Sequence, residues 1–153
     1  MVELKNKIDR VLAQTLVVIM SLMVINVLWQ VFTRFILGDP SSFTDELARF
    51  LMIWLGILGA AYVSSKNLHV AIDILPSRVN SIRKKRMSAA VDLLIIFFAL
   101  TVFLIGGIRL VYISSVLGQK SPALQFPMAL VYCVIPLSGL LIIFFKIQKL
   151  ITK

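Results

Sequence analysis

The sequence is poor in the residues that most often carry chemistry. It has one cysteine, Cys133, and one histidine, His69, among 153 residues. A lone cysteine provides neither an internal disulfide nor a CxxC redox centre, which sets aside membrane thiol oxidoreductases. A lone histidine excludes two-histidine haem ligation within the chain and a histidine-rich metal site. A Ser-His intramembrane protease is disfavoured too, because His69 sits in a polar stretch rather than beside a serine in the bilayer. Negative charge is scarce, with seven Asp and Glu against sixteen Lys and Arg and a net charge of +9.

What is abundant is apolar surface. Hydrophobic residues make up 59% of the chain and its mean hydropathy is +0.97, well above the roughly 45–50% of a soluble domain. The basic residues lie between and beside apolar blocks instead of forming a separate domain, which argues against nucleic acid and for anionic lipid headgroups. Lys5, Lys7 and Arg10 precede the first apolar run much as in a secretory signal. That run is too long and has no small-residue cleavage site, so a retained first helix is expected.

Four blocks suit transmembrane helices, over about 11–36, 43–65, 88–116 and 124–146. The first carries no charge from Val11 to Thr33, and Leu37-Gly38-Asp39-Pro40-Ser41-Ser42 then forms a turn. Ser42-Phe43-Thr44-Asp45 reads as a capping box for the second helix. Along that helix Gly56, Gly59, Ala60 and Ala61 offer small surfaces for another helix. In the fourth block Pro127 suits a helix start and Pro136 should kink the interior.

The segment about 67–87 is polar, with Leu75, Val79 and Ile82 on one face and Arg78 and Arg83 on the other. It reads as an interfacial arm helix, with Arg78, Arg83, Lys84, Lys85 and Arg86 as candidates for lipid headgroup contact. In a four-helix layout most basic residues fall on one side, which by the positive-inside rule places both termini and the arm in the cytoplasm. The expected fold is thus an all-α integral membrane domain of four transmembrane helices plus an amphipathic arm, N-in and C-in.

Ionisable groups within the spans are few. Asp92 reads either as a proton or cation site or as a carboxylate near a helix start, favoured by the dipole and the basic run. Arg109 stands about 25 Å along the same helix, out of reach of Asp92, and either snorkels outward or meets a partner. At the outer end Asp45 and Glu46 stand four and three residues before Arg49, the spacing of helix ion pairs. They form either a self-paired helix start or a docking face. Gln14, Ser21, Asn26 and Gln30 recur at near-helical spacing in the first helix and suggest a protein-facing stripe. Trp29 and Trp54 read as packing or interfacial residues.

From Asn26 to Asp73 the chain carries Arg34-Phe35, Gly38-Asp39-Pro40, Asp45-Glu46-Leu47-Ala48-Arg49, Trp54-Leu55, Gly59-Ala60-Ala61 and Lys66 through His69-Val70-Asp73. In that order and spacing it resembles the small membrane subunit, the DctQ-like or Q component, of tripartite ATP-independent periplasmic (TRAP) transporters. The family usually has an aromatic, often tryptophan, before its Glu-rich pair; Phe43 and Asp45-Glu46 vary that pattern here.

The resemblance implies a multi-pass protein of the bacterial inner membrane that is not an enzyme and binds no cofactor. It implies a large multispan subunit carrying substrate and sodium, and a periplasmic binding protein that delivers a small organic acid, of the dicarboxylate or sialic acid class. The chain would be the scaffold, with Arg34, Asp39, Asp45, Glu46, Arg49 and Arg109 as candidate partner contacts. The rivals are an autonomous homo-oligomeric exporter or channel and a purely structural anchor.

Overall fold

The computed structural model describes residues 2–38, 41–66 and 81–151, with residues 81–85 described in backbone only. It is all helical in its regular structure, and four of its helical stretches are long and apolar enough to cross a membrane: Glu3–Leu37, Ser42–Ser65, Arg86–Val116 and Met128–Ile151. The first span is α1 (Val2–Phe32) followed by a π-helical turn, Thr33–Leu37. Gly38 ends it with φ of 69°, a left-handed conformation that glycine adopts without steric cost.

The second span is α2 (Ser42–Ser65). The expected capping box does not form. Ser41 takes the cap position without a side-chain hydrogen bond, and the Thr44 hydroxyl donates to Ser41 O at 2.9 Å. The Asp45 carboxylate is drawn away by Gln30 and Arg49, at 3.1 Å each.

The third span begins as α3 (Ser81–Phe98), continues through a π-helical stretch, Ala99–Gly106, and ends as α4 (Gly107–Val116). Residues 81–87, the last part of the expected arm, are therefore the first turns of this helix, while 67–80 lie outside the described residues. The helix closes in a Schellman arrangement: Gly118 N–H donates to Ser115 O and Gln119 N–H to Ser114 O, both at 3.1 Å.

A short loop then turns back, pinned by Met128 N–H to Gln119 O at 3.0 Å and by Ser121 N–H to Phe126 O at 2.9 Å. The fourth span is helical from Met128 rather than from about 124, because residues 121–127 are used in this loop, with Pro127 at the cap position. It is interrupted at Cys133 between α5 (Met128–Tyr132) and α6 (Val134–Ile151). Pro136 is the cause: it has no N–H to give Tyr132 O, and its ring crowds that carbonyl.

The spans lie side by side in the order first, second, fourth, third. Leu12, Ile19, Leu58, Ala61, Ala99, Val134, Ile142 and Phe145 form the buried core along this row. Between the third and fourth spans, a glycine on one helix lets the other come close at two points. A Cβ on Gly139 would stand 2.8 Å from Phe103 Cβ, and one on Gly107 would stand 2.9 Å from Pro136 Cδ. The second-span glycines singled out in the sequence do otherwise: a Cβ on Gly56 or Gly59 meets nothing within 4 Å, and only Ala61 of that group is buried.

Candidate functional site

Polar side chains gather at the two ends of the bundle. At the end bearing the N terminus, Asp92 on α3 is fully buried and is held by two lysines of α6. Lys146 Nζ donates to Asp92 Oδ1 at 3.0 Å, and Lys149 Nζ lies 2.7 Å from Oδ2. Lys146 has no exposed surface and Lys149 keeps 22% of its side chain exposed. Asp92 stands well inside its helix, and these partners come from the fourth span.

A second cluster at this end ties the first span to the second. Asp9 accepts hydrogen bonds from the Ser65 hydroxyl and from Lys66 Nζ. The bond to Asp9 holds the Lys66 ammonium above its ordinary value.

At the opposite end, Glu46 Oε2 accepts the backbone N–H groups of Ala123 and Leu124 at 2.9 and 2.8 Å, clasping the loop between the third and fourth spans. Of the two acidic residues spaced to pair with Arg49, Glu46 is used in this clasp. Asp45 is the residue that pairs with Arg49, at 3.1 Å, and it also accepts Gln30 Nε2. Asn26 Nδ2 donates to Thr44 O at 2.7 Å. Half of the polar stripe of the first span is thus spent on the second span, while Gln14 and Ser21 are exposed, with Ser21 bonded to its own helix at Val17 O.

Among the candidate partner contacts, Arg34, Asp45, Arg49 and Arg109 are exposed and Glu46 is half-buried; Asp39 lies outside the described residues. Of the headgroup candidates, Arg86 is exposed, Arg83, Lys84 and Lys85 are placed by backbone alone, and Arg78 is outside the described residues, as is His69. Trp29 stacks on Phe32 at 5.8 Å, and the Trp54 N–H donates to Val131 O at 3.1 Å.

The Asp92–Lys146–Lys149 and Asp9–Ser65–Lys66 clusters were not found as clusters in the sequence. The one available signal was the coincidence of an acidic residue near one end of the third block and lysines near the same end of the fourth.

Comparison with known proteins decides the family. The sequence pattern of the tripartite ATP-independent periplasmic transporters, DctQ component, matches residues 23–153. The chain belongs to this family. DctQ chains are transporter subunits and not catalysts, and the four spans make this one a multi-pass inner-membrane protein.

It is similar to a putative TRAP transporter small permease protein of Haemophilus influenzae, 26% identical over 149 residues that cover 97% of this chain and 91% of that one. It is also similar to the sialic acid TRAP transporter small permease protein SiaQ of Vibrio cholerae, 30% identical over 58% of this chain and 48% of the other. A third relative is the isethionate TRAP transporter permease protein DctMQ of Oleidesulfovibrio alaskensis, 32% identical over 62% of this chain but only 15% of its own length. Family membership implies a large membrane partner and a binding protein, and the much longer DctMQ chain fits with the former.

Proposed function

We propose that this DctQ chain is a scaffold, one that fixes the large TRAP subunit in the bilayer while that subunit carries a small organic acid and sodium. The observation that supports this reading is Asp92. It is the acidic residue farthest inside the apolar part of the third span, and two ammonium groups of the fourth span occupy it. A carboxylate spent in this way serves to lock two helices together instead of cycling a coupling ion. Glu46 and Asp9 are likewise spent on joining elements of the same chain.

In this reading the basic end faces the cytoplasm, with both termini and the arm on that side, by the charge asymmetry. The arm, with Arg83 to Arg86 at its junction with the third span, rests on anionic headgroups and resists rotation. The opposite end then faces the periplasm, and Arg34, Asp39, Asp45, Glu46, Arg49 and Arg109 are the candidates for contact with the large subunit or the binding protein. Arg49, Met52, Gly56, Ala60 and Val63 form one exposed ridge on α2, and its small central residues suit close approach of a partner helix. The substrate in this reading is of the dicarboxylate or sialic acid class, and the sialic acid relative of Vibrio cholerae supports the second of these.

The test is gentle affinity purification of the tagged chain from its native membrane, followed by mass spectrometry of the intact complex. A large multispan companion in fixed ratio is the expected result, lost with Gly56→Leu. Homo-oligomers alone that transport after reconstitution would overturn the scaffold reading in favour of an autonomous channel.

A further inference from the structure

At the basic end the first, second and fourth spans do not close on one another. They leave an apolar hollow of about 340 Å³ bounded by Lys7, Val11 and Thr15 on α1, Trp54 on α2, and Leu137 and Leu141 on α6. We infer that this hollow holds one acyl chain of an anionic phospholipid, whose phosphate is taken by Lys7.

Shape carries the first part of the argument. Lys7 to Thr15 is about 12 Å along a helix at 1.5 Å per residue, close to the roughly 15 Å of hydrocarbon in one leaflet. A volume of about 340 Å³ spread over that length leaves a mean cross-section of about 30 Å². A helix about 10 Å across needs on the order of 80 Å². That narrow, elongated shape suits a single unbranched chain lying along the helices.

Polarity carries the second part. The indole N–H of Trp54 is already given to Val131 O, so its ring presents only apolar surface to the hollow. Beyond the Thr15 hydroxyl, the polar group at the rim is Lys7, placed at the end where headgroups lie. A lysine there extends its ammonium to the interface while its methylenes line the slot.

Charge identifies the headgroup. Asp9, two residues along, is committed to Lys66 and Ser65, and the Lys7 ammonium is taken by no carboxylate among the described residues. Lys5 and Arg10 add to the positive field. An anionic phosphodiester supplies the missing charge, whereas a zwitterionic headgroup brings its own cation to the same place.

Trp54 is a built-in reporter. The full chain has two tryptophans, so Trp29→Phe leaves Trp54 as its sole indole, and bromine on a lipid tail quenches an indole only in near contact. The purified chain in micelles is titrated with brominated phosphatidylglycerol and, separately, with brominated phosphatidylcholine. Saturable quenching at lower phosphatidylglycerol is expected. Lys7→Gln should raise the half-saturating phosphatidylglycerol about fivefold and erase the difference between the lipids, and Thr15→Phe should fill the slot and abolish the quenching.

Equal response to the two lipids overturns the inference. So do curves unchanged by either variant, which would place the lipid in the larger hollow of about 560 Å³ on the other side of Trp54. Lys7 is exposed, so Lys7→Gln decides the matter even where Thr15→Phe fails to fold. In native membranes, Thr15→Cys in a Cys133→Ser background, armed with a thiol-reactive photo-crosslinker, should capture phospholipid; capture of the large subunit instead would also overturn it.

Discussion

The two ends of this bundle use charge differently. At the basic end, carboxylates join one span to another: Asp92 binds the third span to the fourth, and Asp9 the first to the second. At the opposite end, Asp45 pairs within its own helix with Arg49, the two side chains 59% and 69% exposed. There Glu46 holds a loop instead of a helix. An ion pair in water contributes little, because water screens it, whereas removing one partner from a buried pair strands the other charge. The same residue types thus serve as a clamp at one end and as an adaptable surface at the other.

The sharpest way to break that comparison is Asp92→Ala. It leaves Lys146 as a buried ammonium without a counter-charge, at an expected cost of about 3–5 kcal/mol, read as a lower unfolding midpoint in detergent or as loss of the folded chain. Replacing the pair together, with Asp92→Leu and Lys146→Met, should recover most of that loss, since an apolar pair of similar volume removes the stranded charge. Lys149→Ala alone should cost much less, because Lys149 is partly exposed and Lys146 still holds the carboxylate.

Next in size is a change midway between the ends, where no charge is involved. Gly139→Val places atoms against Phe103, whose Cβ is 2.8 Å from even the first added carbon, and overpacking of this kind costs about 1–3 kcal/mol. Gly56→Ala should instead stabilise the isolated chain by about 0.5–1 kcal/mol, because its Cβ meets nothing and glycine weakens a helix interior. Opposite signs for two glycines one helix apart would separate close intramolecular packing from a face left open.

These contrasts explain what was legible in the sequence. The spans were readable because hydrocarbon thickness imposes a length and a composition on each helix, and Pro136 announced the break that appears at Cys133. The family was readable from the ordered motifs between Arg34 and Asp73. Pairing between spans was not. Asp92 and Lys146 are 54 positions apart, and periodicity within a helix says nothing about which neighbour its face meets. Glu46 shows the same limit: its spacing to Arg49 satisfies a local rule, but two loop N–H groups 77 and 78 positions away take the carboxylate. Small size is visible in a sequence and the partner helix is not, so the small residues of α2 stand out there while Gly107 and Gly139, which lie against the facing helix, do not.

Smaller effects belong to the outer end. Glu46→Gln removes the charge from the clasp while keeping its shape, so the helices should stay packed and the loop should loosen. Several-fold faster hydrogen exchange at the Ala123 and Leu124 amides, with an unfolding midpoint close to that of the native chain, is the expected signature. Faster exchange spreading into α2 or α6 would mean that the clasp is part of the fold and not a surface device.

The smallest expected effect is the most informative about function. Arg49→Ala removes an exposed i,i+4 pair worth at most about 0.5 kcal/mol to the helix, and the released Asp45 keeps its bond from Gln30. The folded chain should therefore be indistinguishable from the native one in thermal unfolding. If Arg49 is a partner contact, the same variant should weaken recovery of the large subunit or slow substrate uptake, and raised salt should weaken the native complex at this end in the same direction. Unchanged assembly and uptake in that variant would return Asp45 and Arg49 to the role of a solvated helix start, and leave the ridge from Met52 to Val63 as the remaining candidate face.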